Sequence, residues 1–345
     1  MNQFVITNLA KSPEYYKDVI QLIEKSFGYD DKHHFDLDFW TLIGPNNHKN
    51  CHFILNKKED SVVCHIGVKN RDIRIKRNKH PVCLIGGIAT DEKYRGQGKF
   101  KELFNFVLDK YKESSTFFLL WSEKSSLFQK FDFFEFGSVL QTGDSSLTEE
   151  KALSLGYTRT SHRKLSEVDK IKIKELHDAN YKNFITLNRT SRDWYDISQT
   201  KSADLYIKKT DNKITDYFFI NKGFDLQDII YECSFFSDEK MIEELSPFKL
   251  WLPEKHKSYI EHKSAIYIGH LKVANTDLFK NFIHEIYSND LYITKYQNKE
   301  IEFEFKDTRT KASERDFLSL TLGPEPAEEF KRYAPWIYIS GIDSI

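Results

Sequence analysis

The feature that most constrains the fold is an apolar run joined to an amphipathic helix by a short glycine-containing turn. Val82 to Ile88 is almost continuously apolar, which predicts a strand buried on both faces. Apolar residues then recur from Phe100 to Tyr111 with helical periodicity, which predicts a helix with one buried face. Between them, Gly96 and Gly98 allow backbone N–H groups to converge on one point. The sequence therefore predicts an anion site at a helix N-terminus.

The strands before this turn indicate an α+β fold with a mixed, mainly antiparallel sheet flanked by helices. His52 to Leu55 and Val62 to Val68 form a predicted hairpin around the polar turn 57–60. The turn at Gly96 and Gly98 has neither the GxGxxG spacing nor a Walker lysine, and no βαβ unit surrounds it. A dinucleotide-binding interpretation is therefore weak.

The stretch Arg95-Gly96-Gln97-Gly98 resembles the pyrophosphate loop of the GNAT superfamily of N-acetyltransferases, whose pattern is Arg/Gln-x-x-Gly-x-Gly/Ala. Arg95 and Gly98 match this pattern, whereas Phe100 replaces its usual small residue. The resemblance implies that acetyl-CoA or another acyl-CoA binds here. The implied cofactor residues are Ile88, Ala89 and Thr90 for the pantetheine arm, Arg95, Gly96, Gln97, Gly98, Lys99 and Phe100 for the pyrophosphate, and Phe128 from a second segment.

A second segment, Leu127 to Phe133, resembles the "Leu-Tyr-x-Lys-x-Gly-Phe" signature of the same superfamily. Its tyrosine often protonates the departing CoA thiolate, and the matching residue here is Phe128. A phenyl ring has no proton to donate. Ser125, Ser126 and a water molecule are the candidate replacements, unless the thiolate leaves unassisted or the protein does not catalyse a reaction.

The sequence does not identify a single general base. His65 and Glu123 are candidates from the first half of the chain, and Asp36 and Asp38 are candidates for binding an amine. A loose resemblance to tandem-GNAT acetyltransferases of the enhanced-intracellular-survival type implies a further candidate. In those enzymes the C-terminal carboxylate enters the active site, and here that group belongs to Ile345.

A chain of 345 residues predicts two domains. We predict a GNAT acyl-CoA-binding domain at 1–145, a linker at 146–165 and a degenerate GNAT-like domain at 166–345. The second half repeats the order of helices followed by a strand meander, but it has no glycine turn like that at Gly96. It is predicted to shape an acceptor pocket or to be structural, and to end in a strand at 335–339.

Composition excludes several classes. The net charge of -1 gives no basic excess for binding nucleic acid, and no apolar run is long enough to span a membrane. His48, Cys51, His52, Cys64 and His65 match no zinc spacing, so no metal site is predicted. Four scattered cysteines and the absence of an evident signal peptide predict free thiols in the cytoplasm. The basic hairpin from Arg71 to His80 is expected to be a solvated edge.

These observations predict an acetyl-CoA-dependent N-acyltransferase. The acceptor, a small-molecule or protein amine, attacks the thioester directly in a ternary complex. Two alternatives remain open. Phe128 favours a non-catalytic acyl-CoA-binding sensor or scaffold. A peptidyl- or aminoacyl-transferase of the Fem type also has tandem GNAT-like domains, but the CoA-type turn and the absence of a basic face argue against it.

Overall fold

A computed structural model describes residues 3–223, 225–256, 261–288, 290–331 and 337–345. These residues form sixteen strands and eleven α-helices. The strands are β1 (Phe4–Asn8), β2 (Cys51–Asn56), β3 (Ser61–Ile75), β4 (Asn78–Thr90), β5 (Phe117–Leu120), β6 (Phe134–Gln141), β7 (Tyr157–Thr160), β8 (Thr186–Asn188), β9 (Asp204–Thr210), β10 (Lys213–Ile220), β11 (Ile230–Cys233), β12 (Trp251–Pro253), β13 (Ser264–Val273), β14 (Leu291–Gln297), β15 (Glu300–Phe305) and β16 (Thr308–Ser313). The helices are α1 (Tyr16–Phe27), α2 (Phe35–Asp38), α3 (Trp40–Ile43), α4 (Lys99–Tyr111), α5 (Ser125–Gln129), α6 (Glu149–Ser154), α7 (Glu167–Tyr181), α8 (Ser191–Gln199), α9 (Glu239–Leu245), α10 (Thr276–Tyr287) and α11 (Glu314–Leu322).

The largest sheet has the strand order β1-β2-β3-β4-β5-β13-β6-β12, and β8 also pairs with β3. Among the pairings described in this sheet, only β4–β5 is parallel. The predicted α+β fold with a mainly antiparallel sheet is therefore confirmed. Two smaller antiparallel sheets have the orders β11-β10-β9-β7 and β14-β15-β16.

Alternate residues of β4 are buried on opposite faces of this sheet. Cys83 and Ile85 belong to the core beneath α4, which also contains Leu103 and Phe104. Their neighbours, including Leu84, belong to the larger core on the other face of the sheet, which α1 covers. The packing therefore confirms the prediction from the apolar run that this strand is buried on both faces.

The strand β13 comes from the second half of the chain but completes the sheet of the first half. It lies between β5 and β6, with His270 opposite Leu120 and Ile266 opposite Val139. Residues 1–145 alone therefore do not build this sheet. The predicted linker at 146–165 contains α6 and β7, and β7 pairs with β9 in the second sheet. It is thus part of the folded second half rather than an extended connection.

The division at 1–145 and 166–345 stays a prediction, as does the origin of the second half as a degenerate copy of the first. The predicted strand at 335–339 is partly outside the described residues. Within them, Ile337 makes a single bridge to Ile185. The segment from Phe35 to Ile43 forms two short helices, α2 and α3, which are separated at Phe39.

Candidate active site

The candidate site lies where two parallel strands separate. β4 and β5 pair only along Cys83–Ile85 and Phe118–Leu120. Beyond Ile85, the segment 86–90 keeps β3 on one edge, and no described strand pairs with its other edge. A cavity of about 1240 Å³ opens between this free edge and the segment 121–124. An unpaired strand edge offers N–H and C=O groups to an extended, amide-containing ligand.

The turn before α4 lies at one end of the cavity. Gly96 and Gly98 have φ angles of +74° and +76°, a backbone conformation that strongly favours glycine. A Cβ atom at either position would meet no other atom within 4 Å, so open space lies in front of both residues. α4 begins at Lys99, directly after the left-handed Gly98. The turn and the positive end of the helix dipole together suit a phosphate.

Cationic side chains surround this turn. The side chain of Arg95 is 55% exposed and lies 3.8 Å from Glu92, so it is weakly held and can reach a ligand. Lys99 lines the cavity, and its Nζ lies over the ring of Phe4 and 2.9 Å from Glu102. Of the predicted loop residues, Gln97 is not in the cavity lining; its amide donates a hydrogen bond to the carbonyl of Lys93.

Ile88, Ala89 and Thr90 all line the cavity, and their role in binding a pantetheine arm stays a prediction. Phe100 and Phe128 line it as well, and their rings pack edge to face, 6.3 Å apart. Phe128 is 4% exposed. The structure thus places a buried phenyl ring, without a hydroxyl group, beside the cavity.

The structure does not bring the predicted acid candidates into the cavity. Ser126 is exposed and does not line it. The hydroxyl of Ser125 lies 2.8 Å from Nε2 of the buried His270 and is also outside the lining. Ser122 is the serine of this region that lines the cavity, and its carbonyl accepts a hydrogen bond from the hydroxyl of Tyr267.

The candidates for the general base and for amine binding differ in whether they are exposed to the cavity. Glu123 is exposed and lines the cavity. His65 is fully buried behind Gly87, whose carbonyl lies 2.7 Å from its Nδ1. Burial lowers the pKa of His65 to about 4, so the ring is a weak base at neutral pH. Asp38 is buried against Gly223, and neither Asp36 nor Asp38 lines the cavity.

The last residues of the chain form another part of the lining. Ile345 lies in the cavity wall with Gly341 and Ser344, and its main chain lies against Gly86. Ile345 is 8% exposed. The structure therefore brings the predicted terminal carboxylate and the free edge of β4 to the same place.

Buried charges hold this terminal segment. The Asp343 carboxylate accepts hydrogen bonds from Arg189 at 2.7 Å and from Arg71 at 3.2 Å, and Arg189 also pairs with Glu232. Burial raises the pKa of Asp343, but the charges of Arg189 and Arg71 outweigh burial and lower it to about 2. Asp343 is thus a buried anion that fixes the segment before Ile345.

Lys222 provides a second anchor. Its buried Nζ donates to the carbonyls of Ser344 at 2.6 Å and Gly341 at 3.0 Å, and lies 3.0 Å from the hydroxyl of Ser344. Burial is the largest effect on this ammonium and lowers its pKa to about 7. The end of the chain is thus held by hydrogen bonds from an ammonium group that loses its proton near neutral pH.

Residues 10–136, a little over a third of the chain, match the family model described as an acetyltransferase (GNAT) domain. The N-terminal part of this chain is a GNAT domain. The match spans the predicted cofactor turn and Phe128. No curated protein matches the chain. The more specific likeness to enhanced-intracellular-survival-type enzymes stays a prediction.

Solved structures share the fold over almost the whole chain. A probable N-acyltransferase from Enterococcus faecalis, titled as a conserved protein of unknown function, is 12% identical with a TM-score of 0.59, covering 96% of this chain and 93% of that one. A GCN5-related N-acetyltransferase from Anabaena variabilis is 13% identical with a TM-score of 0.57, covering 99% and 100%. N-myristoyltransferase of Saccharomyces cerevisiae, solved with myristoyl-CoA and inhibitors, is 13% identical with a TM-score of 0.50, covering 79% of each chain. At these identities the likeness is one of fold.

Two features of the cavity are not predicted from the sequence: residues of β13 in its lining, and the buried lysine that holds the end of the chain. No element is predicted between 253 and 334, although β13 supplies Ile266, Tyr267 and Ile268 to the lining. The apolar pattern of β13 is visible in the sequence, but its insertion between β5 and β6 has no local signal. Lys222 is the second feature, and its burial has no signal in the sequence, because a lone lysine gives no sign of burial.

The expectation of a solvated basic hairpin is wrong for Arg71, whose side chain is 3% exposed and lies 3.3 Å from Asp193. Arg74 likewise donates to the carbonyl of Tyr181 in the second half of the chain. Arg71 and Arg74 therefore join the two halves, whereas Lys76, Arg77 and Lys79 at the tip of the hairpin are exposed, as expected. None of the described helices has both the length and the apolar character needed to cross a membrane.

Proposed function

We propose that this protein is an acetyl-CoA-dependent N-acyltransferase that transfers an acetyl group to a primary amine in a ternary complex. One observation carries the proposal: a single cavity contains the free edge of β4, the glycine turn before α4 and the end of the chain. The GNAT domain supports acyl transfer. The yeast relative of this fold, solved with myristoyl-CoA, supports an acyl-CoA as the donor.

In this proposal the cofactor extends along the opening between β4 and β5. Its pyrophosphate binds at Gly96 and Gly98 under Arg95 and Lys99, where glycine N–H groups and cations face open space. Its pantetheine amides pair with the free edge at 88–90. Phe100 and Phe128 then pack beside the arm without accepting or donating hydrogen bonds.

The chemistry is a direct displacement. The neutral amine attacks the thioester carbonyl, a C–N bond forms, the C–S bond breaks, and CoA leaves as a thiolate. Because a thiol has a pKa of about 8.5, the thiolate is a good leaving group and takes up a proton from water. In the 345-residue chain, we propose that the terminal carboxylate of Ile345 accepts the proton from the amine, with Glu123 as the second candidate.

Phe128 supports one alternative function, a non-catalytic acyl-CoA-binding sensor or scaffold. General acid catalysis is typically worth about 10²–10⁴ in rate, and this ring cannot supply it. The intact glycine turn suits either function, because a sensor also needs to bind the cofactor. The two functions differ in turnover and not in affinity.

The proposal extends to the rest of the chain. The second half supplies Asp225, Leu226, Trp251 and the end of the chain to the lining, which supports an acceptor pocket formed by residues 166–345. We also propose that the protein is cytoplasmic, because buried cysteines such as Cys51 and Cys83 suit a reducing compartment.

The test is calorimetric titration with acetyl-CoA, followed by thiol release with a panel of primary amines. Arg95→Glu is expected to weaken acetyl-CoA binding about tenfold or more, because a cation facing the pyrophosphate becomes an anion. Arg309→Glu is the control, since Arg309 is an exposed arginine, paired with Glu304, outside the cavity. Unchanged affinity in Arg95→Glu contradicts the proposed site. Binding without thiol release on any amine favours the sensor.

A further inference from the structure

The part of the cavity away from the glycine turn is markedly apolar. One of its walls comes from β6, β12, β13 and neighbouring segments of the second half. On this wall Val139 and Ile266 are cross-strand partners, and Trp251 lies in β12 on the same sheet. Further apolar side chains of the lining are Phe27, Phe35, Phe39, Leu226, Ile268 and Ile339. An apolar wall of this kind favours a ligand that loses apolar surface to it.

The charges of the lining are unevenly distributed. Arg95, Lys99 and Lys101 come from the turn and first residues of α4, where a pyrophosphate requires cations. The side-chain carboxylates among the described lining residues are Glu123 and Asp225, whose charges interact with each other; the charge of Asp225 also interacts with that of the buried Lys222, which anchors the end of the chain. Lys124, next to Glu123, also lines the cavity. A pair of carboxylates beside an apolar wall requires a different ligand from the one at the turn.

An acyl chain does not account for this combination. It would occupy the apolar wall, but it carries no charge to pair with Glu123 or Asp225. An ammonium group with an apolar substituent matches both features, since the cation meets the carboxylates and the substituent meets the wall. A polycation fits poorly, because its further charges would be placed against Trp251, Ile266 and Ile268.

We infer that the acceptor is a monoamine whose ammonium group is attached to an apolar alkyl or aromatic body. This inference rests on the proposed N-acyltransferase function and names the substrate class of the same site. It places the amine nitrogen near Glu123 and Asp225 and its substituent against Ile266 and Trp251.

The test compares three amines for binding to the protein already saturated with CoA, using calorimetry. Hexylamine has one cation and an apolar chain, 1,6-diaminohexane adds a second cation to the same chain, and ethanolamine lacks the apolar chain. We expect hexylamine to bind about tenfold or more tightly than either of the others, since a hydrophobic pocket discriminates by about this factor. Equal or tighter binding of the diamine or of ethanolamine overturns the inference.

Variants locate the contact. Ile266→Ser is expected to remove most of the preference for hexylamine over ethanolamine while leaving CoA affinity unchanged. Ile266 is 38% exposed, so the substitution leaves the fold intact. Leu320→Ser is the matched control, because Leu320 is 37% exposed and lies outside the cavity on α11. Asp225→Asn should weaken hexylamine binding without affecting CoA.

Two further outcomes separate this inference from the proposed function. If hexylamine binds best but no amine releases thiol from acetyl-CoA, the cavity binds a monoamine as a ligand, and the proposed enzymatic function fails together with the role of that amine as acceptor. If octanoyl-CoA binds about tenfold more tightly than acetyl-CoA and Ile266→Ser removes that difference, the apolar wall holds the acyl chain. That result overturns the inference and leaves acyl transfer intact.

Discussion

Gly86 has no side chain at the point where the main chain of Ile345 lies against β4, and a Cβ atom there would be 2.5 Å from the carbonyl carbon of Ile345. Gly86→Ala is therefore expected to displace the last residue of the chain. Because backbone cannot give way as the tip of a side chain can, we expect thiol release to fall about tenfold or more. Carboxypeptidase should also remove Ile345 faster than it does from the wild type.

Gly67→Ala is the control for this prediction. Gly67 lies on β3 opposite Gly86, but a Cβ atom there would meet the side chain of Leu42 at 2.8 Å and not the main chain of Ile345. It should cost stability without exposing the end of the chain. If Gly86→Ala leaves Ile345 as resistant to carboxypeptidase as before, the contact with Gly86 does not position the terminal residue.

Gly98 and Gly28 form a matched pair for testing the phosphate site. Both have positive φ angles, +76° and +74°, with no atom within 4 Å of a Cβ atom, but Gly28 ends α1 and lies outside the cavity. Each substitution by alanine should cost about 1–2 kcal/mol of stability. Only Gly98→Ala should also weaken acetyl-CoA binding in a calorimetric titration. Equal affinities in the two variants would rule out the turn as the pyrophosphate site.

Asp343→Asn should destabilise the protein by about 3–5 kcal/mol at pH 7, because it leaves the guanidinium groups of Arg189 and Arg71 short of a buried anion. The folded-state pKa of Asp343, about 2, lies below its unfolded value of about 3.9. Its stabilisation is therefore complete above pH 4 and is lost as the pH falls towards 2. Urea unfolding at several pH values measures this.

The control is Asp109→Asn, since the Asp109 side chain is 75% exposed and pairs with Lys112 on the surface. It should change stability by less than about 1 kcal/mol. A gap between wild type and Asp343→Asn that stays constant from pH 6 down to pH 2.5 contradicts the charged buried contact.

Lys222→Met tests the second anchor. The folded-state pKa of Lys222 is about 7, below an unfolded value of about 10.4, so the unfolded chain binds more protons between these pH values. Wild-type stability should therefore rise, relative to Lys222→Met, by up to ~1.4 kcal/mol per pH unit between pH 7 and pH 10. Below pH 7 the difference should be constant. Urea unfolding from pH 6 to pH 9.5 measures this difference in the free energy of unfolding. A difference that does not change with pH contradicts the lowered pKa of Lys222.

The parts of the fold that the sequence predicts are those with local signals. The apolar run of β4, the helical spacing of α4 and the two glycines between them predict their own structures, because burial and backbone geometry act on neighbours in the chain. The part of the cavity proposed to bind the cofactor is formed by the same segment. The direction of a side chain is not predicted in this way: the position of Gln97 in the turn does not determine that its amide points to the carbonyl of Lys93.

The part of the cavity formed by the second half of the chain could not be predicted in this way. Asp343 pairs with Arg71 and Arg189, which lie far from it in sequence, and no spacing rule connects charges at such separations. The burial of Lys222 likewise depends on the last residues of the chain folding over it. Ser126 was predicted from its proximity to Phe128 in the sequence, but the first turn of α5 directs it to solvent.

The position of β13 has a consequence for how the chain is made. During synthesis β5 and β6 leave the ribosome well before Ser264–Val273, so both strands have an unpaired edge until the second half emerges. Pairing over such a separation is slow, and exposed edges invite association between nascent chains. The family match at 10–136 therefore does not contain all the strands that complete the sheet. A polypeptide released after the first half would be a client for chaperones and proteases.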